Sequence, residues 1–216
     1  MSGFDPVSLA VAFGLIALLP TVVVVTTAFL KISVIMMLVR NALGVQQIPP
    51  NIAIYGLAVI LTAYVMAPIG QRMYEVVVEA PAPAARSIPS LIQTLRTGAE
   101  PLRGFLERNS KPEQRDFFLR TTHKMWGPQL SANVTPTDYL VLMPAFLVSE
   151  LTSAFQIGFL LYLPFVVIDL IVSNILLAMG MMMVSPVTIS LPLKLFLFVA
   201  VDGWTKLIQG VILTYV

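Results

Sequence analysis

The stretch from Leu151 to Pro192, LTSAFQIGFLLYLPFVVIDLIVSNILLAMGMMMVSPVTISLP, is almost unbroken apolar sequence with a single acid, Asp169, in its middle and a methionine cluster near its end. Such a run has no polar face to turn to water, and it exceeds the roughly 20 residues needed for one crossing of a bilayer. The rest of the chain agrees: 57% of residues are hydrophobic and 11% charged, against about a quarter charged in ordinary globular domains. The reading is an all-α, membrane-associated protein. With no cysteine in 216 residues, disulfide frameworks, thiolate nucleophiles and thiolate metal sites are excluded.

Apolar segments alternate with one polar region. Val7 to Leu30 is a first candidate span, and Ile52 to Ile69 a second. The start, MSGFDP, lacks a basic region and a small-residue cleavage site follows nowhere near, so the first segment is read as retained rather than as a signal peptide. Lys31 and Arg40 follow the first segment and Asp5 alone precedes it, which places Lys31 to Pro50 in the cytoplasm and the N-terminus outside. Tyr139 to Ser190 has room for two further spans, most simply a hairpin bending near Pro164 to Asp169 or two helices separated there. Leu195 to Val216 is a last apolar segment, either a fifth span or a helix lying on others. The chain thus divides into an N-terminal pair of apolar helices (1–71), a polar region (72–136) and a C-terminal apolar region (137–216) with a helical hairpin, a methionine-rich loop and a terminal helix.

The polar region holds nine of the thirteen basic residues and six of the eleven acids. It opens with APAPAARSIPS and continues into the helical-looking PEQRDFFLRTTHKMWG. A loop of more than about 60 residues is translocated regardless of its charge, so the region is assigned to the periplasmic side, as a few amphipathic helices packed on the rest.

Five charged residues fall within the C-terminal apolar segments: Glu150, Asp169, Lys194, Asp202 and Lys206. A charge at the centre of a membrane helix costs at least about 2.5 to 3.5 kcal/mol, so each requires a partner or water. Asp169 and Lys194 meet if the helices bearing them, or copies in neighbouring subunits, pack side by side. Asp202 and Lys206 are four apart, in the favourable acid-first order for one helix face. Two readings stand: static ion pairs that fix helix register, or a proton relay. The lack of a histidine in any span weighs toward the first.

MGMMMVSP, Met179 to Pro186, brackets Met181, Met182 and Met183 between a glycine and a proline, which makes a turn or a broken helix there. Unbranched, polarizable methionine side chains repack around changing partners. The run is either filler or a ring that seals a path and yields to a passing chain. His123 lies among Thr121, Thr122 and Lys124 without the companions of a metal site or a catalytic triad. No GxxxxGK[ST] or GxGxxG phosphate loop occurs, and the basic residues from Arg96 to Lys124 are interleaved with acids as on a solvated face rather than a nucleic-acid patch. The chain is accordingly expected to be no enzyme, to need no cofactor or metal, and to bind no nucleic acid. An alternative class is a small-solute or ion transporter subunit that couples through Asp169 or Glu150. Another is a membrane-anchored scaffold whose polar region binds a partner.

Taken in order, TTAFLKISVIMMLVRNALG (Thr26 to Gly44), PPN (Pro49 to Asn51) and the long block from Met143 to Trp204 resemble the FliP/SctR family, export-apparatus proteins of bacterial type III secretion systems. The lack of a recognisable signal peptide resembles the injectisome (SctR) branch more than the flagellar one, and the segment 80–129 matches no familiar pattern. The resemblance implies an all-helical subunit of a helical, cone-like oligomeric export gate that conducts unfolded secretion substrates across the bacterial inner membrane, with parts projecting into the periplasm. It implies five copies assembled with FliQ/SctS-like and FliR/SctT-like subunits, beside FlhB/SctU-like and FlhA/SctV-like export proteins and membrane lipids, and driven by energy sources elsewhere. It further implies that Met181, Met182 and Met183 form a methionine gasket at the pore constriction. Glu150, Asp169 and Lys194, with Lys31, then make charge contacts within and between subunits. Apolar segments of such a subunit are in part buried against neighbours, which puts a simple count of spans in question.

Overall fold

The structure, a computed structural model, describes residues 6–45, 48–79 and 96–216. Asp5 and the other residues of the N-terminal start, and the proline-rich opening of the polar region, lie outside the described residues. Eight helices and no strand make up the described chain: α1 (Pro6–Thr26), α2 (Phe29–Leu43), α3 (Asn51–Glu79), α4 (Glu100–Asn109), α5 (Pro112–Ser131), α6 (Tyr139–Ala178), α7 (Pro186–Ala200) and α8 (Gly203–Leu213). The all-α expectation holds.

Two compact units are built from alternating stretches, residues 1–30 with 68–148 and residues 31–67 with 149–216. In the first unit the described part of the polar region folds as helices. Proline at the first turn of α4 and of α5 starts each one, where the missing N–H costs nothing. Helix α4 is amphipathic and buries Phe105 and Leu106; the Phe105 ring lies 5.7 Å from that of Phe146. Val141, Leu142, Ala145 and Phe146 complete this core with no exposed surface. The Tyr139 hydroxyl donates to the Ala99 carbonyl at 2.7 Å, tying the start of α6 to the α4 entry.

The second unit is organised around α2. Ile32, Ile35, Met36, Val39, Ala42 and Leu43 are buried, spaced three and four apart as one face of a helix demands. Ile54, Ala58 and Leu61 of α3 follow the same period, and Ala154, Phe165, Val172 and Leu176 supply the α6 face. Gly158 of α6 faces the Leu38 side chain so closely that an added Cβ would collide with it. Phe198 stacks edge-on against Trp204 with ring centroids 5.3 Å apart.

Two expectations fail, each for a local reason. The hairpin near Pro164 to Asp169 does not form, because α6 runs unbroken for 40 residues through Pro144 and Pro164. A membrane helix tolerates a proline where neighbours or side chains take up the freed carbonyls, and Asp169 finds its partner without a turn. At 1.5 Å per residue α6 is about 60 Å long, twice a hydrocarbon core of about 30 Å. Next, Lys31 is not a loop cation beyond a first span. The chain breaks at Thr27 and Ala28, and Lys31 sits inside α2, buried, so it carries no positive-inside information. The last apolar segment, open between a fifth span and a helix lying on others, comprises the end of α7 and α8, which are bent by 63° at the residues between them and together are apolar enough for a broken span.

Among the described residues, helices α3 and α6 are long and apolar enough to cross a membrane, and the candidate spans number up to four if each of two bent pairs is one span. Phe155, Phe159, Leu160, Val167, Leu170, Ile171 and Ile175 line the outside of α6, all more than half exposed. An apolar surface of that extent belongs against lipid or other protein. The protein is a membrane protein.

Candidate functional site: two buried charge pairs and a methionine turn

Glu150 lies in α6, only 2% exposed, and α2 brings Lys31 to it: the ammonium donates to Glu150 Oε1 at 2.9 Å. The second carboxylate oxygen accepts the hydroxyl proton of Tyr215, whose ring lies under the Lys31 ammonium at 3.7 Å from its centroid. One acid, one base and one phenol thus satisfy each other through an ion pair, a charge-assisted hydrogen bond and a cation–π contact. Burial, and then the Glu150 carboxylate, hold the Tyr215 phenol above its ordinary range, so it stays a donor.

Nineteen positions further along α6, Asp169 is the acid of a second cluster. Lys194 of α7 donates to Asp169 Oδ2 at 2.5 Å, and Ser190, one turn earlier on α7, donates to Oδ1 at 2.5 Å. The Lys194 ammonium also reaches the Ala42 carbonyl in the last turn of α2 at 3.4 Å. Helix α2 ends there because Gly44 takes φ +77°, which a side-chain-bearing residue rarely adopts. A cation at that end complements the carbonyl end of the helix dipole. This cluster is open on one side: the Asp169 side chain is 38% exposed against 5% for Lys194.

Helix α6 ends at Ala178 in a Schellman turn. Gly180 (φ +73°) donates to the Leu177 carbonyl at 3.0 Å, and Met181 to the Leu176 carbonyl at 2.9 Å. Pro186 then opens α7. Between the two, Met181, Met182 and Met183 stand out from the turn, and Met183 is fully exposed. Apolar side chains held out on a short, doubly anchored turn form a compliant surface rather than a core.

Asp202 and Lys206 do not pair. Asp202 is in the left-handed conformation before α8 begins (φ 55°), so the two residues do not share a helix face. Its carboxylate instead accepts from the Thr205 hydroxyl at 3.0 Å. His123 is exposed on α5, and no cluster among the described residues would hold a metal ion.

Sequence reasoning named Lys31, Glu150, Asp169 and Lys194 but missed Tyr215, Ser190 and the Ala42 carbonyl. Ser190 was within reach of the same logic, since it lies four residues before Lys194 and shares its helix face. Nothing in the local pattern singles out Tyr215.

Residues 12–211 match the FliP family. The chain belongs to that family. Among similar proteins, the Yop proteins translocation protein R of Yersinia pestis is 49% identical over 211 residues, covering 98% of this chain and 97% of its own. The probable translocation protein y4yL of Sinorhizobium fredii is 50% identical over 208 residues, 96% of this chain and 92% of its own. The virulence protein YscR of Salmonella typhimurium is 45% identical over 204 residues, 93% of this chain and 92% of its own. These names agree with the injectisome branch of the resemblance. Both ion pairs and the methionine turn of this FliP-family chain fall inside the matched segment, and Tyr215 falls just beyond it.

Proposed function

We propose that this FliP-family protein is a non-enzymatic subunit of the export gate of a bacterial type III secretion system, in the inner membrane, where it conducts unfolded proteins. The full-length likeness to proteins named for translocation and secretion supports the system. The observation that carries the gate role is the methionine turn: three consecutive flexible apolar side chains, exposed in the single chain, at the end of a long helix. Copies of the chain arranged around an axis bring these side chains together as a seal that excludes ions and deforms around a polypeptide.

In this reading the two charge clusters are structural. Glu150 has both oxygens occupied and Lys31 is sandwiched between carboxylate and ring, which holds α2 against α6. Lys194 holds the α7 side of the turn to α6 and α2. Other subunits of the apparatus, and copies of this chain, cover the apolar outer face of α6, with parts of the assembly on the periplasmic side.

The test is site-specific photo-crosslinking from position Met182 in cells exporting a substrate stalled by a folded fusion, with the exposed position Val23 of α1 as control. A crosslink to the stalled substrate from Met182 and none from Val23 is the expected result. Crosslinks from Met182 only to sister subunits or lipid, with the substrate engaged, overturn the gate role.

A further inference from the structure

The chain has eleven methionines and no cysteine. With no thiol to react first, a two-electron oxidant that meets this protein finds thioether sulfur as its target. The described methionines are not equally placed to meet it. Met36 lies in the α2 core at 1% exposed, whereas Met182 is 81% exposed and Met183 fully so. Met179 and Met181 stand beside them, each about half exposed.

The turn itself holds these side chains out. The Met181 N–H donates to the Leu176 carbonyl at 2.9 Å and the Met182 N–H to the Gly180 carbonyl at 3.0 Å, and Pro186 opens α7 on the far side. The backbone is thus fixed at both ends of the run, and Met182 and Met183 do not fold back into the core of their own chain. A hydrophobic constriction gates by dewetting, so it works only while its wall stays apolar. A sulfoxide ends that condition, because oxidation turns a flexible apolar side chain into a polar one.

We infer that Met181, Met182 and Met183 are an oxidation site, at which hydrogen peroxide or a related two-electron oxidant turns the apolar seal into a hydrated, ion-conducting one. The site rests on the seal proposed above. In each event a lone pair on the methionine Sδ attacks one peroxide oxygen, and the O–O bond breaks as the S–O bond forms. The departing hydroxide takes the proton left on the transferred oxygen and leaves as water; sulfur loses two electrons and peroxide gains them. Peroxide, a small polar molecule, approaches the ring through the aqueous path on either side. A methionine sulfoxide reductase reverses the change: two thiols become a disulfide, the oxygen leaves as water, and the thioether returns.

The experiment uses membrane vesicles carrying the assembled gate and hydrogen peroxide as the probe. Ion conductance after peroxide is compared with conductance before it in the same preparation, and peptide mass spectrometry locates the added oxygen. Oxygen is expected on Met181, Met182 and Met183 at a dose that leaves buried Met36 unmodified, together with a rise in conductance that added methionine sulfoxide reductases and dithiothreitol reverse. With all three changed to Leu, which carries no sulfur, the peroxide-induced rise should be lost. An equal rise in that variant, or oxidation of exposed Met125 in α5 without oxidation of the turn, overturns the site. Sulfoxide in the turn with no rise in conductance overturns it too, and the change of all three to Gln then shows how much falls. A leaky Gln variant leaves the seal standing and removes only its oxidation; a tight one removes the seal as well.

Discussion

The Lys31 ammonium lies 2.9 Å from Glu150 Oε1 although 119 positions separate the two residues. Both are almost inaccessible, so the pair joins α2 to α6 in a region where neither charge has water to fall back on.

Lys31→Ala is expected to destabilise the protein by about 3 to 5 kcal/mol, because it leaves Glu150 buried without its cation. Replacing the whole cluster, with Lys31→Met, Glu150→Leu and Tyr215→Phe together, should recover most of that loss, since apolar side chains of similar volume need no partner. Thermal unfolding of the detergent-solubilised protein measures both. A triple variant no more stable than Lys31→Ala would mean that the cluster acts other than by mutual neutralisation.

Tyr215→Phe removes the donor to Glu150 Oε2 and should cost about 1.5 to 3 kcal/mol, the range for a hydrogen bond to a charged group. The phenol is raised above its unfolded value of about 10. Its contribution is therefore complete below about pH 10 and lost as pH rises beyond that point. Stability should decline above about pH 10 in the parent and decline less steeply in Tyr215→Phe.

Asp169→Ala should cost less than loss of Lys31, about 1 to 3 kcal/mol. Lys194 keeps the Ala42 carbonyl, and water reaches the half-open side of the cluster. Ser190→Ala, which leaves the ion pair in place, should cost about 1 kcal/mol or less. Denaturant or thermal melts that rank Ser190→Ala above Asp169→Ala would contradict the assignment of Asp169 as the centre of the cluster.

Gly158→Ala drives a Cβ into the Leu38 side chain and should destabilise by about 1 to 3 kcal/mol through overpacking. Leu38→Ala in the same chain should relieve it, so that the two changes together cost less than their sum. Strict additivity in a double-mutant cycle would show that the helices do not approach there.

Met181, Met182 and Met183 changed together to Ala should leave stability within about 0.5 kcal/mol, as expected of exposed positions. Ion leakage through the assembled gate should nevertheless rise. Conductance of cells carrying the variant checks this, and an unchanged leak with normal assembly would count against the seal.

The helical class and the importance of the buried charges were readable from composition and from the cost of bare charge in an apolar segment. The path of the backbone was not. Pro164 beside Asp169 has every local mark of a break, yet α6 continues through it, while the turn falls at Gly180, where a left-handed residue is required. A helix that is apolar all round carries no periodic signal to tell these cases apart. The Asp202–Lys206 spacing failed for the opposite reason: the periodic argument was sound, but the helix it assumed begins one residue too late. Tyr215 entered the site through tertiary packing alone.

Two charge clusters fasten α6, and they differ in kind. Glu150 is enclosed on all sides, whereas Asp169, about 28 Å further along and about 14 Å before the methionine turn, is half open to solvent. Ions in the surrounding water reach the second fastening and not the first, so salt acts on α6 from the end that carries the methionines.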